Sequence, residues 1–221
     1  MLLHSAPVID SNKRDRFAAV FFVFVCGLLP LSLTACHKQN STVVHYEGAQ
    51  SAWREGDIVL RRGSGLESRV VITRTSSVYS HVGLLHYDSV SAEWQVVHAV
   101  PAEEEAEYLK TEPVSVFFSP ERAERGAWIR VDCADSTARK AVQYALRKVE
   151  QGVLFDNDYL LSDTTRLYCT ELVWRAYGMY GVDVSGGRRQ TVPTLFSKEG
   201  EAIFPNDIEK SATTLFINHL N

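Results

Sequence analysis

Hydrophobic positions along the chain divide it into one long apolar run and several shorter, patterned segments. The long run covers residues 17–33 and contains no charged side chain. The shorter segments lie at residues 58–60, 81–86, 94–100 and 128–131, and they are rich in apolar, β-branched and aromatic side chains. Runs of this length and composition are typical of strands. The chain therefore contains an apolar stretch near its start and a meander of short strands after it.

Two amphipathic helices are expected in the second half of the chain. The first runs over residues 135–150, where apolar residues recur at helical spacing and Gly152 ends the helix. The second begins near Cys169. It should bury the apolar side chains of one face, namely Leu172, Val173, Ala176 and Tyr177. Helices combined with a strand meander predict an α+β fold.

Weaker patterns cover the remaining parts of the domain. Ser64 and Glu67 have the spacing of a capping box, which predicts a helix over residues 65–74. That helix would place three residues on one side, Leu66, Val70 and Thr73. Residues 101–125 follow no periodic pattern that assigns them, and the tail around residues 204–207 is expected to be irregular.

The apolar run has the flanks of a secretory signal. Lys13, Arg14 and Arg16 precede it, and small residues lead directly to Cys36. This layout resembles the lipobox of bacterial lipoproteins, and the resemblance implies that Cys36 is diacylated and becomes the first residue of the mature protein. An uncleaved membrane anchor is the alternative, although the run is slightly short of the ~20 residues that cross a bilayer. Either arrangement puts the rest of the chain outside the cytoplasm.

The expected organisation has three parts. Residues 1–35 form a lipoprotein signal peptide, residues 36–52 a lipid-anchored polar tether, and residues 53–221 a single domain. The net charge is −4 and no basic block is present, so the composition gives no indication of nucleic-acid binding. His37 follows the acylated cysteine where an Asp would signal retention, and by analogy with Gram-negative sorting this favours the periplasmic face of the outer membrane.

Only Cys133 and Cys169 belong to the domain. In an oxidising compartment they could form a disulfide. Together with His81 and His98 they could instead ligate zinc. The chain has no C-x-x-C or H-x-x-x-H spacing to support that site, so no cofactor is expected.

Cys169 stands where a polar loop enters the second amphipathic helix. Unpaired backbone N–H groups and the helix macrodipole favour negative charge at such a position. Because the thiolate is the reactive form of cysteine, a thiol would be activated there, and the same N–H groups could donate to an oxyanion. The alternative is an inert, buried cysteine, since free cysteines are often buried.

A base for this thiol must come from elsewhere in the chain. His81 is the best candidate because it stands between a polar loop and an apolar strand. If that strand pairs with the next one, His98 can lie beside His81 and orient its ring, as the third member of a triad does. His86 is the competitor, but it should face the opposite side of the strand and is interpreted as a surface or packing residue.

Three motifs, in this order, carry a family resemblance: GDIV at residues 56–59, YSHVGL at 79–84 and YCTELV at 168–173. They resemble the YaeF/YiiX-type permuted papain-like hydrolases, which are relatives of the NlpC-type cell-wall peptidases and of lecithin:retinol acyltransferase. The resemblance spans roughly residues 54–208, with weaker matches at Phe155-Asp156 and Phe204-Pro205.

The resemblance implies a papain-like α+β fold in which an antiparallel sheet packs against the nucleophile helix. It also implies that Cys169 attacks, that His81 is the base and that His98 orients it, at a position where some members carry a carboxylate. Tyr79 and Tyr168 are expected to line the substrate pocket.

Two substrate classes follow from the family's relatives. One is the amide bonds of cell-wall stem peptides, which suits a lipoprotein facing the periplasm. The other is the acyl groups of lipids or lipid-like amides. A catalytically inactive binding lipoprotein is a third interpretation, which would predict that Cys169 does not react with thiol reagents.

Overall fold

The computed structural model describes residues 43–101, 108–192 and 200–220. Its strands are β1 (Ile58–Arg62), β2 (His81–Asp88), β3 (Glu93–Val100), β4 (Tyr108–Pro113), β5 (Arg125–Val131), β6 (Gln190–Val192), β7 (Gly200–Ala202) and β8 (Thr214–Leu220). Its α-helices are α1 (Leu66–Thr75), α2 (Val114–Phe117), α3 (Asp135–Glu150), α4 (Cys169–Gly178) and α5 (Pro205–Glu209), and a 3₁₀ helix covers Glu47–Ala52. The predicted signal peptide and Cys36 lie outside the described residues.

Six strands form one antiparallel sheet in the order β4-β3-β2-β1-β5-β8, and β6 pairs with β7 separately. The central strand β1 pairs on one side with β2, through Ile58↔Leu84, and on the other with β5, through Ile58↔Ile129. Along each strand, successive side chains face opposite sides of the sheet. The prediction of an α+β fold with an antiparallel sheet packed on helices is confirmed.

Helices α3 and α4 cover one face of the sheet and form the main core. Every buried residue predicted on the second helix is buried there, together with Ala141, Val142 and Ala145 of α3. The sheet contributes Ile58, Leu60, Val82, Leu84, Val97 and Ile129. Gly152 adopts a left-handed conformation (φ 63°) directly after α3, which is a common way to end a helix.

Residues 43–53 and helix α2 cover the opposite face of the sheet. Val44 and Trp53 are buried there against the sheet, and the ring of Tyr46 stacks on Trp53 and on Phe118. The predicted tether of residues 36–52 is therefore too long, because its described part packs on the domain. The apolar side chains of Val44 and Tyr46 are the physical reason, since they bury surface that a free tether would expose.

Two further expectations about secondary structure need correction. Helix α1 begins at Leu66 after Gly65 as N-cap, and the Ser64 hydroxyl instead donates to the Glu121 carbonyl at 2.6 Å. Leu66, at the start of this helix, is 79% exposed. The tail that includes residues 204–207, predicted to be irregular, contains α5 and β8, and β8 pairs with β5. The unassigned residues 101–125 contain β4 and α2. Among the described residues, no helix combines the length and the hydrophobicity needed to span a bilayer.

Candidate active site

Cys169 is the first residue of α4 and lies against the start of β2. Tyr168, in extended conformation, is the N-cap residue, so the N–H groups of the first turn are not used within the helix. The backbone N–H groups of Val82, Thr170 and Cys169 itself interact with the sulfur. Val82 lies at the start of β2, which pairs with β1 on one side but not with β3 on the other, because the pairing of β2 with β3 begins at Leu84↔Val97.

The Cys169 side chain is nevertheless shielded from solvent, because only 8% of the residue is exposed. Burial raises the pKa of the thiol to about 11, and the three backbone N–H groups offset only part of that rise. From its position at a helix start, Cys169 is expected to have a lowered pKa. Burial removes water from the thiolate and raises the pKa by more than the helix start lowers it. The resting side chain is therefore a neutral thiol.

The two histidines predicted to act together are in direct contact. His81 Nε2 lies 2.8 Å from His98 Nδ1, and the ring planes meet at 72°. Phe117 packs on both imidazoles, with its ring centroid 5.7 Å from that of His81 and 5.3 Å from that of His98. Since this contact uses Nε2 of His81, the ring nitrogen available to the thiol is Nδ1.

Gly83 makes room for the contact between these histidines. It lies two residues after His81, on the same face of β2, and directly faces His98 on the neighbouring strand. A Cβ at this position would collide with Val96 and lie 3.1 Å from the Cβ of His98. A larger residue would therefore push β3 away and separate the two imidazoles.

A carboxylate that the sequence analysis did not select stands behind His98. Glu112 of β4 places Oε1 at 3.2 Å from His98 Nε2. Its other oxygen, Oε2, binds Lys110 Nζ at 2.8 Å and Arg122 Nη1 at 3.2 Å, and Arg61 Nη1 lies 3.9 Å from Oε1. Glu112 lies in the segment without an assigned pattern, so no pairing with His98 could be inferred.

These contacts fix the protonation of the three groups at neutral pH. Burial, with the positive charge of Arg61, holds the pKa of His81 well below its ordinary value. Burial also lowers the pKa of His98 to about 4, although Glu112 opposes the change. Glu112 has a pKa of about 2, because its contacts with His98 and Lys110 outweigh the effect of burial. The site therefore holds two neutral imidazoles and one carboxylate.

A cavity of about 320 Å³ opens at the thiol, and both Cys169 and His81 line it. Tyr168 also lines it, as predicted from the sequence, and its hydroxyl accepts a hydrogen bond from the Ile203 N–H at 2.9 Å. The aromatic residues of the two weaker motifs, Phe155 and Phe204, belong to the same wall.

Tyr79 does not belong to this cavity, which corrects its interpretation as a pocket residue. Its side chain is buried in the main core, and its hydroxyl lies 2.7 Å from Nδ1 of His219 on β8. Tyr159 takes a place in the wall instead. It has a left-handed backbone (φ 53°), a strained conformation for a bulky residue, and its ring packs on Tyr168 and Phe155. No sequence motif marks this residue.

The remaining candidates lie apart from the cavity. His86 Nδ1 contacts Glu55 at 2.7 Å on the half-exposed part of β2. Cys133 precedes α3, and neither it nor Cys169 forms a disulfide. Within residues 43–101, 108–192 and 200–220, no three or more His, Cys, Asp and Glu side chains are grouped so that they could hold a metal ion.

Comparison with known proteins identifies the fold. The sequence model of the permuted papain-like amidase family, YaeF/YiiX, C92, matches residues 52–217. The chain belongs to this family. A crystal structure of the metalloprotein YiiX from Escherichia coli O157:H7 superimposes with a TM-score of 0.60 at 20% sequence identity, covering 76% of this chain and 96% of that one. No curated protein matches the chain.

Membership of the YaeF/YiiX family establishes the general chemistry. The family consists of permuted papain-like amidases, so the chain is a papain-like cysteine hydrolase. The solved YiiX structure has the same fold. The cysteine at the start of α4 and the histidine that precedes it in the chain occur in the order that the sequence resemblance implies.

Proposed function

We propose that the chain cleaves an amide bond through an acyl-enzyme formed on Cys169, with His81 as the base and His98 as the residue that orients it. The observation that carries this proposal is the shared cavity. Cys169 and His81 both line it, and the imidazole of His81 contacts His98 on the side away from Nδ1. Nucleophile, base and orienting group are the three parts that such chemistry needs.

The reaction begins from a neutral thiol. The Cys169 proton moves to Nδ1 of His81 while the sulfur attacks the carbonyl carbon, so no free thiolate has to accumulate in the buried site. Backbone N–H groups at the first turn of α4 stabilise the oxyanion that develops. His81 then gives the proton to the leaving amine, and water hydrolyses the thioester with His81 again acting as base.

The lining of the cavity favours a peptide-like substrate. Four charged side chains of both signs contribute to it, Arg61, Glu67, Glu121 and Arg122. A polar and charged substrate, such as a cell-wall stem peptide, can pair with such groups, whereas an acyl chain would leave them desolvated. We therefore favour amide bonds of peptidoglycan peptides as the substrate class.

Exposed Leu66 supports the second candidate, a hydrolase or acyltransferase acting on lipid-like substrates. This leucine lines the same cavity as Phe155 and Tyr159 and is 79% exposed. An exposed apolar side chain at the mouth of a site can contact an acyl chain.

Purified peptidoglycan and phospholipid vesicles, incubated separately with the protein and followed by mass spectrometry of the products, distinguish these substrates. Cys169→Ala should abolish product formation on the true substrate, whereas Cys133→Ala should retain it, because Cys133 lies outside the cavity. Hydrolysis that survives Cys169→Ala would contradict the mechanism. Failure of the wild-type protein on both substrates, with an unreactive Cys169, would favour the non-catalytic interpretation.

The proposed reaction uses only side chains, backbone N–H groups and water. The YiiX structure from Escherichia coli is described as that of a metalloprotein, so the metal content of the purified protein is a direct test here. Activity that disappears with a chelator and returns with a divalent ion would contradict the proposal.

We further propose that Cys36 is lipidated and holds the domain at the periplasmic face of the outer membrane. The basic, apolar and small-residue segments that end at Cys36 support this proposal. Metabolic labelling with a fatty-acid analogue should mark the wild-type protein and not Cys36→Ser. Equal labelling of both would contradict it.

A further inference from the structure

Four neighbouring strands each contribute one residue to a continuous row of contacts that ends at Glu112. Arg61 of β1 pairs across the sheet with His81 of β2, and His81 contacts His98 of β3. His98 pairs with Lys110 of β4, and its Nε2 faces the carboxylate of Glu112, two residues further along that strand. The row lies on one face of the sheet because its members alternate with core residues along each strand.

The row ends in a group that can only accept a proton. Three cations, Arg61, Lys110 and Arg122, lie within 3.9 Å of the Glu112 carboxylate and keep it ionised. An ionised carboxylate has no hydrogen to donate. Oε1 of Glu112 and Nε2 of His98 lie 3.2 Å apart without meeting the geometry of a hydrogen bond, so the contact acts mainly through charge. A negative charge at 3.2 Å favours the tautomer of His98 that carries its proton on Nε2.

The proton position on His98 determines the proton position on His81. A neutral imidazole carries one N–H, so His98 with its proton on Nε2 presents a lone pair at Nδ1. That lone pair lies 2.8 Å from Nε2 of His81 and can only accept. His81 must therefore carry its proton on Nε2, which leaves its Nδ1 as a lone pair.

We infer that Glu112 is a positioning residue that sets the tautomers of both histidines, so that Nδ1 of His81 is always ready to take the proton of Cys169. The inference rests on the proposed function, because it takes His81 as the base. Glu112 contacts neither the thiol nor the cavity residue His81 directly. It acts through His98, and the Cys169 proton that moves to Nδ1 of His81 produces an imidazolium whose charge faces His98 and then Glu112.

Glu112→Gln tests this role without changing the shape of the side chain. Lys110 and Arg122 are both donors at the Oε2 position, so they would hold the amide oxygen there. The amide NH₂ would then occupy the Oε1 position and donate toward Nε2 of His98. His98 would shift its proton to Nδ1, and His81 would carry its proton on Nδ1, where it blocks acceptance from the thiol.

Long-range ¹H–¹⁵N correlation spectra of protein labelled in its histidines measure the two tautomers directly. In the wild-type protein near neutral pH, His81 and His98 should both carry their proton on Nε2. In Glu112→Gln both should carry it on Nδ1. Acylation of Cys169 by a p-nitrophenyl ester should fall by about 10²-fold or more, because a wrong tautomer of a catalytic histidine costs up to about 10⁴-fold in rate.

Glu124→Gln is the matched control, since that carboxylate also pairs with an arginine, Arg62, at 2.9 Å. It should keep both tautomers and acylate within about twofold of the wild-type rate, as expected for a surface substitution. A proton on Nδ1 of His98 in the wild-type protein would overturn the inference whether or not any variant folds. Unchanged tautomers in Glu112→Gln, or a changed tautomer with normal acylation, would also overturn it.

The spectra test the tautomers of His81 and His98 whether or not the proposed function is correct. If Cys169→Ala left substrate hydrolysis intact, His81 would lose its role as base. The spectra would still report whether Glu112 controls the protons of the two histidines.

Discussion

The sulfur of Cys169 lies at the first turn of α4, where backbone N–H groups surround it and almost no solvent reaches it. The N–H groups are suited to an oxyanion that appears only during attack, whereas burial acts on the resting state and keeps the thiol protonated. The neutral imidazole of His81 complements that state, because it can accept a proton. At the scale of the residue, the site is therefore arranged for proton transfer during attack rather than for a stored thiolate.

A difference titration between the wild-type protein and Cys169→Ala measures the ionisation of this thiol. Because burial raises its pKa to about 11, thiolate absorbance should be absent at neutral pH and should appear only as the pH approaches that value. A thiol is protonated below its pKa, so the thiolate increases as the pH rises. Both proteins should carry Cys133→Ala, so that Cys133 gives no signal. A thiolate that is already present near neutral pH would contradict this view of the resting state.

Helix α4 also contains a buried charge beneath the nucleophile. Glu171 is fully buried, pairs with Arg175 Nε at 2.7 Å, and faces the backbone N–H of Tyr168. Burial nevertheless raises its pKa to about 7, with the Arg175 contact offsetting part of the rise. Arg175 in turn donates to the Leu161 carbonyl at 2.7 Å, so this helix supports the loop that contains Tyr159.

The charge on Glu171 predicts how stability changes with pH. Its folded-state pKa is raised, so the stability associated with the protonated form is complete below about pH 4.5 and is lost as pH rises through about 7. Glu171→Gln cannot ionise and keeps an oxygen for Arg175. Relative to wild type, its free energy of unfolding should increase by up to about 3 kcal/mol over that range, at about 1.4 kcal/mol per pKa unit.

Urea denaturation of both proteins at several pH values checks this expectation. The difference between their unfolding free energies should grow with pH and then level off above the folded-state pKa. If the difference between the two unfolding free energies stayed constant from acid to neutral pH, Glu171 would ionise in the folded protein as it does in the unfolded chain.

The elements that carry the chemistry were predictable to the extent that their signals are local. The helix that begins at Cys169 and the strand that begins at His81 each have a clear apolar pattern, and a short turn between β2 and β3 indicates that His98 comes next to His81. Glu112 was not predictable, because its strand follows an acidic segment and alternates weakly. Tyr79 was misplaced because its neighbour His219 is 140 residues away in sequence, and β8 has no turn signal that pairs it with β5.

The described part of the molecule is built on one six-stranded sheet, and different elements cover its two faces. Helices α3 and α4 cover one face of the sheet, and α4 begins with the proposed nucleophile, Cys169. Residues 43–53 and α2 cover the other face. Val44 occupies the space beside Gly126, where a Cβ would collide with it and with Phe118. The segment before β1 is therefore part of the folded unit and not only a connection to the predicted signal peptide.

Val44→Ala tests the contribution of this N-terminal segment to stability. Removing buried methyl groups should lower the free energy of unfolding by about 1–3 kcal/mol, from lost burial and the cavity left behind. The neighbouring Val43→Ala is the control, because Val43 is 45% exposed and should change stability by less than about 0.5 kcal/mol. Urea denaturation measures both. Equal effects of the two substitutions would show that the segment is not held on the sheet in solution.

The burial of Val44 also limits how far the domain can travel from its proposed anchor. Seven residues separate Cys36 from Val44, and a fully extended chain from Cys36 to Val43 spans at most about 25 Å. A flexible connection as far as residue 52 would have reached more than twice as far. If Cys36 is lipidated as proposed, the enzyme can act only on substrates close to the bilayer. Bonds deeper in the envelope would be cleaved only when the substrate itself approaches the membrane.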